Sequence, residues 1–235
     1  MIEPVVIGAA RLYLGDCSEI LPSLGEMQGC FDPPYDFDAS GGGQFRADRP
    51  CMDAIEAEGL DRGFDYGLVK PDQFPGVVIF CHNDQLPELL ADLKAKYHRV
   101  VVCAWHKTNP LPVANKAYVP DTEFWVHAWM PGHHPVGTLN QLRRYFTSLS
   151  GRQDVYDHPT VKPIDLMRKI MRNLSGDVIC DPFMGTATTG AAALIHGKAF
   201  VGIEKSEKFF TMAVDRIRRV YANGLAKYPT EGASA

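Results

Sequence analysis

Asp177-Val178-Ile179-Cys180-Asp181-Pro182-Phe183-Met184-Gly185-Thr186-Ala187-Thr188-Thr189-Gly190 decides the fold of this chain. A short apolar strand ends at an acid, and a glycine- and threonine-rich corner then opens the next helix. Strand, tight turn and helix make the nucleotide corner of a Rossmann-like unit, where a ligand meets backbone N–H groups and a helix N-terminus. Residues 199–203 form a second strand ending at Glu204, and 204 − 185 = 19 residues separate that acid from Gly185. The spacing is close to the roughly 20 residues expected for an acid that binds ribose hydroxyls. No Gly-Lys-Ser/Thr phosphate loop occurs here, so a ribose-bearing cofactor without a phosphate tail fits better than ATP.

Working outward, residues 164–174 carry Ile164, Met167, Ile170, Met171 and Leu174 on one helical face. Downstream, residues 206–222 make a last helix whose Arg216, Arg218 and Arg219 read as a solvated face. Upstream, residues 77–81 suit a strand buried on both faces, and a helix follows over 83–97. Residues 100–105 and 123–130 are consecutive strands with no helix between them, which implies an antiparallel pair at one edge. Residues 11–15 alternate as a strand, and Asp16 stands at the corner before an amphipathic run over 18–24, where helix capping explains it. With the strand leading into Asp32, the pattern predicts an α/β, Rossmann-like, seven-stranded mixed sheet in a single domain, 1–235.

The most unusual tetrad is Asp32-Pro33-Pro34-Tyr35. Two prolines fix the backbone and remove N–H donors. The carboxylate of Asp32 and the carbonyl of Pro33 can each accept one hydrogen of an exocyclic amine, while the Tyr35 ring stacks on the heterocycle that bears it. Drawing both hydrogens toward acceptors pushes the nitrogen toward a tetrahedral shape whose lone pair can attack an electrophile. A plain turn is the bland alternative, since Asp and Pro are common turn residues.

Six cysteines show no Cys-x-x-Cys pair and no metal-like spacing with histidine, so no metal and a reduced compartment are expected. No apolar run approaches the roughly 20 residues that span a bilayer, and the expected location is cytoplasmic without membrane contact. A formal net charge of −4 argues against nonspecific coating of nucleic acid but leaves room for a local basic face. Two stretches lack periodicity. Residues 36–66, rich in glycine, read as a mobile loop beside the tetrad. Residues 131–157 interleave bases and aromatics, including Arg143, Arg144 and Arg152, and read as a small target-recognition insertion that contacts DNA.

Taken together, Asp32-Pro33-Pro34-Tyr35, His158-Pro159-Thr160-Val161-Lys162-Pro163 and Asp181-Pro182-Phe183-Met184-Gly185-Thr186 resemble the S-adenosylmethionine-dependent DNA amino-methyltransferases, with the β-class motif order. The resemblance implies a circularly permuted methyltransferase fold with helices on both sheet faces, S-adenosyl-L-methionine as cofactor, and double-stranded DNA as partner; it allows a homodimer. It also implies that Phe183, Gly185 and Thr186 line the cofactor's methionine and ribose, and that neighbouring Asp181 and Thr188 belong to the cofactor site. Glu204 would bind the ribose diol, Asp16 and Cys17 would touch the adenine, and Lys162 would stand near the methionine carboxylate. Asp32, beside the cofactor, Pro33, Pro34 and Tyr35 would keep the amine-binding roles derived above. One departure is Ala187, where the family carries a second glycine. An acid at the head of the tetrad favours adenine N6 as the target. Cytosine N4, an RNA or protein-glutamine amide, and a catalytically silent binding module stay open as alternatives.

Overall fold

The computed structural model describes residues 2–35, 63–110, 118–150 and 161–223. The elements in chain order are β1 (Val5–Ile7), β2 (Ala10–Leu14), α1 (Cys17–Ile20), β3 (Gln28–Phe31), β4 (Gly76–Cys81), α2 (Leu86–Lys96), β5 (Arg99–Lys107), β6 (Thr122–Trp129), β7 (Tyr145–Ser148), α3 (Ile164–Asn173), β8 (Val178–Asp181), α4 (Thr188–Ile195), β9 (Ala199–Glu204) and α5 (Glu207–Ala222). The strands build one mixed sheet in the order β1-β2-β9-β8-β3-β4-β6-β5-β7.

From β2 to β4 every neighbouring pair is parallel, so the ends of β2, β9, β8, β3 and β4 all emerge along one edge. Strand β6 runs antiparallel to both β4 and β5. Its beginning, with Glu123, therefore sits at the same edge where the parallel strands finish. Strand β4 is buried along its whole length, as its uninterrupted apolar sequence requires. Its alternate residues serve two cores. Val78 and Phe80 pack with Trp125 and with residues of α3, α4 and α5, whereas Val77, Ile79 and Cys81 pack with Phe31, Ile20 and the α2 residues Leu89 and Leu93. Helices thus cover both faces.

The sheet has nine strands among the described residues where the sequence pattern predicts seven. The two additional ones are edge strands. β1 has three residues with partly exposed ends, and β7 lies in a stretch of mixed bases and aromatics, so neither shows the apolar alternation that marks a half-buried strand. Because β7 pairs with β5, the antiparallel β5–β6 pair stands one strand in from the edge. Arg216 corrects a second expectation: it is buried and donates to the Thr188 hydroxyl at the start of α4, whereas Arg218 is exposed. Residues 36–62, Arg152 and the His158-Pro159-Thr160 part of its motif lie outside the described residues. No described helix is long and apolar enough to cross a membrane.

Candidate active site at the carboxyl edge of the sheet

A cavity of about 320 Å³ opens where β2, β3, β8 and β9 end. It gathers residues far apart in sequence: Asp16 and Cys17, then Asp32, Pro33, Pro34 and Tyr35, then Lys162, and finally Asp181, Phe183, Gly185, Thr186, Thr188 and Glu204. Arg143 and Arg144 do not belong to it. They are exposed and border a second hollow of about 260 Å³ beside Trp125, His127, Trp129 and Lys169.

The glycine corner is held by short-range hydrogen bonds. Glu204, at the tip of β9, accepts from the Gly185 N–H through Oε2 and from the Ser206 N–H through Oε1, each at 2.9 Å. The Glu204 carbonyl accepts from the Gly15 N–H at 2.9 Å, which ties the end of β9 to the Gly15-Asp16 turn. Asp181 accepts from the Phe183 N–H at 3.1 Å. Burial raises the Asp181 carboxyl to about 7 against the opposing bonds from Thr189 and Phe183. Burial also raises Glu204, opposed by the N–H groups of Ser206 and Gly185.

The corner needs two left-handed residues in close succession, Gly185 at φ 49° and Ala187 at φ 59°. Glycine takes this conformation freely, but an L side chain does so at a cost of roughly 1–2 kcal/mol. The position that departs from the family pattern is therefore the one where a glycine would relax the backbone. Ala187 is fully buried in the core, so its methyl group recovers part of that cost by packing. At Gly190 a Cβ would lie 2.5 Å from the Phe200 ring, so glycine lets α4 sit down on β9.

Asp16 is the N-cap of α1, accepting from the Ser18 N–H at 2.8 Å and the Ser18 hydroxyl at 2.6 Å, and these bonds lower its pKa. Capping and lining of the cavity are compatible at this residue. Beside it, burial raises the Cys17 thiol to about 11, so the thiol is neutral. Phe183 stands at the rim with the Phe64 ring 5.6 Å away.

The opposite wall is a network of charges. Lys162, 8% exposed, donates to Asp32 Oδ1 at 2.7 Å, to Glu123 Oε1 at 3.0 Å and to the Tyr35 hydroxyl at 3.1 Å. Three acceptors match the three hydrogens of an ammonium. Tyr35 in turn donates to Glu123 Oε1 at 2.6 Å, and Lys107 reaches Glu123 Oε2 at 2.8 Å. Burial alone would raise Glu123, but Lys162 and Lys107 overcome it and hold the carboxyl down to about 2. Burial would likewise lower Lys162, yet Asp32 and Glu123 raise it above the ordinary lysine range. Asp32, whose side chain is 22% exposed, is raised by burial against the pull of Lys162.

Glu123 and Lys107 are the members that reading the sequence misses. Glu123 appears there only as the first residue of an alternating strand, and nothing local distinguishes it from a solvated strand end. The antiparallel run of β6 is what brings it to the site.

Comparison with known proteins gives a consistent picture. The N6/N4 methyltransferase family model, described as DNA methylase, matches residues 68–215, more than half of the chain. The type II methyltransferase M.HinfI of Haemophilus influenzae is 32% identical over 140 residues, covering 51% of this chain and 39% of that protein. The DNA adenine methyltransferase YhdJ of Escherichia coli K12 is 42% identical over 67 residues, covering 27% of this chain and 23% of YhdJ. The chain thus spans well under half the length of these two relatives. Among solved structures, the M1.HpyAVI–SAM complex superposes with a TM-score of 0.63 at 26% identity, covering 88% of this chain and 99% of that one.

Proposed function

The chain belongs to the N6/N4 family of DNA methylases, and from that premise we propose that it transfers a methyl group from S-adenosyl-L-methionine to the exocyclic N6 of a flipped adenine in double-stranded DNA. The observation that carries this reading is that the Asp32-Pro33-Pro34-Tyr35 tetrad and the Asp181–Thr188 corner with Glu204 line one continuous cavity. An amine acceptor and a nucleotide corner in the same hollow are what direct transfer requires, because the reacting atoms must be held in line and in contact.

The lining suits the cofactor. Among the described residues five carboxylates, Asp16, Asp32, Asp65, Asp181 and Glu204, and two ammonium groups, Lys162 and Lys205, border the cavity. That balance favours a positively charged sulfonium with a ribose diol and disfavours a phosphate tail. Glu204 would hold the diol, Asp16 and Cys17 the adenine, and Phe183, Gly185 and Thr186 the methionine and ribose. When bound, the cofactor supplies an electrophilic methyl group.

On the target side, Asp32 and the Pro33 carbonyl accept the two amine hydrogens, Pro34 keeps the backbone rigid, and the Tyr35 ring stacks on the base, which leaves the duplex to reach them. The amine's lone pair forms the new C–N bond as the cofactor's C–S bond breaks, S-adenosylhomocysteine leaves, one amine proton is given up to solvent, and no covalent bond between base and enzyme is needed. The acid at the head of the tetrad supports adenine as the target, as does the likeness to YhdJ, a DNA adenine methyltransferase. The exposed Arg143 and Arg144 serve as phosphate contacts in this reading. The tetrad's place ahead of the glycine corner supports a circularly permuted methyltransferase chain.

Incubation with methyl-labelled S-adenosylmethionine and plasmid DNA, followed by nucleoside analysis, tests the proposal. N6-methyladenine is the expected product. Recovery of N4-methylcytosine alone, or of label only in RNA or protein, overturns it.

A further inference from the structure

The four charged groups opposite the glycine corner form an unbranched chain, and each link is short. Lys107 meets Glu123 Oε2 at 2.8 Å, Glu123 Oε1 meets Lys162 at 3.0 Å, and Lys162 meets Asp32 Oδ1 at 2.7 Å. The two oxygens of Glu123 are divided, one to each lysine. At Asp32 the contacts within the described residues all fall on Oδ1, which also lies 3.4 Å from the Tyr35 hydroxyl. Its other oxygen has no partner among the described residues, although Asp32 lines the cavity.

Such an arrangement has a physical purpose. A carboxylate that must accept a hydrogen at a fixed angle is useless if it rotates about χ2, and a bond on one oxygen locks the direction of the other. An ammonium on a flexible four-carbon stem cannot by itself provide that lock. Lys162 can, because its own hydrogens are committed to three acceptors and its ammonium is boxed between the rings of Phe80 at 4.9 Å and Tyr35 at 5.1 Å.

We propose that Glu123 and Lys107 are positioning residues of the methyl-transfer site: the chain Lys107–Glu123–Lys162 pins the ammonium of Lys162 on Oδ1 of Asp32 and leaves Oδ2 for the target amine. This inference rests on the function proposed above and assigns Lys162 to the target side of the cavity, not to the methionine carboxylate of the cofactor. Asp32 is faced by Cys30 of its own strand, Asp181 of β8, Glu123 of β6, Tyr35 and Lys162, and of these only Lys162 is a cation. Removing that cation makes the Asp32 carboxylate easier to protonate, whereas removing Glu123, a like charge, does not.

The test uses the full chain, single-turnover methylation of plasmid DNA across pH, and calorimetric titration of S-adenosylmethionine. Lys162→Met is expected to slow methyl transfer by roughly 10²-fold, to shift the acid limb of the rate profile upward, and to change cofactor affinity by less than about threefold. Glu123→Gln keeps the shape and a hydrogen-bond acceptor for Tyr35; it is expected to slow transfer by roughly 10- to 100-fold without an upward shift of the acid limb. Lys107→Met, at a partly exposed site, slows transfer several-fold, and Lys107→Arg restores it. A Lys162→Met protein whose cofactor affinity falls tenfold or more while the acid limb stays in place overturns the assignment, as do Glu123→Gln and Lys107→Met proteins as fast as the wild type. A wild type that methylates no DNA defeats the proposed function itself and this inference with it.

Discussion

Two buried carboxylates a few residues from the same sheet edge behave in opposite ways. Asp181, in the glycine corner, is met by neutral donors, and burial lifts it to about 7. Glu123, in the charge chain, is met by two ammonium groups that overcome burial and hold it down to about 2. The corner is a backbone device, built from N–H groups that bend around an acid two to nineteen positions away in sequence. The chain is a side-chain device whose links join positions 16, 39 and 130 apart. In the proposed reading, the difference teaches that the cofactor side of the cavity is shaped by backbone conformation, while the target side is shaped by ion pairing between separate strands in a desolvated place, where one missing partner leaves a charge uncompensated.

The largest effect that could break this division is expected at Asp32. Asp32→Ala removes an acceptor that acts on the amine in the transition state and should lower single-turnover methylation by roughly 10² to 10⁴-fold while cofactor binding survives. If calorimetry showed cofactor binding lost as completely as activity, Asp32 would belong to the cofactor side and the division would fail.

Asp181 sharpens the contrast through pH. Its folded-state pKa lies above the ordinary 3.8, so the native state holds the proton more tightly than the unfolded chain does. The associated stability is fully present below about 3.8 and is lost as pH rises through about 7. Asp181→Asn lacks this dependence. Relative to wild type it should gain stability between these limits, by up to about 4 kcal/mol. Urea unfolding at pH 4 and pH 8 reads the difference, and parallel pH curves for the two proteins would remove the basis of the comparison.

Glu204→Ala deletes an acceptor whose bonds are similar in ground and transition states. Cofactor affinity should weaken by about 1.5 to 3 kcal/mol, with turnover largely restored at saturating cofactor. A fall in turnover that saturation does not rescue would move Glu204 to the target side. The smallest effect is expected at Ala187. Ala187→Gly relieves roughly 1–2 kcal/mol of left-handed strain but gives up a buried methyl group worth about 0.8 kcal/mol. A net gain below about 1 kcal/mol in unfolding free energy is predicted, and a loss of more than about 1 kcal/mol would show that packing, not backbone conformation, governs this corner.

Much of this is legible in the sequence. The strand, turn and helix at 177–190 and the acid at 204 are contiguous signals, each made by neighbours in the chain, and the structure assembles them into one corner. The strand before Asp32, the buried β4 and the consecutive β5 and β6 were readable because apolar period and length mark a buried strand. The edge strands β1 and β7 are not, because strands of three and four residues with no fully buried position carry no period long enough to detect. The inward turn of Arg216 is hidden from the sequence for a related reason. Its position among other bases suggests a wet face, and only the seating of α5 on α4 shows that it turns inward to Thr188.

The sequence by itself determined the α/β class and the strand, turn and helix of the glycine corner, and it carries the proposed chemistry of the Asp32-Pro33-Pro34-Tyr35 tetrad, since each depends on residues within a few positions of one another and on backbone preferences that travel with the chain. Tertiary structure alone decided that Glu123 and Lys107 join the ion-pair chain of Lys162 and Asp32, and that Arg143 and Arg144 stand apart from the cavity. The physical reason is the reversal of β6. An antiparallel strand carries its first residue to the edge where its parallel neighbours end, and no local property of Glu123 records which way its strand will run.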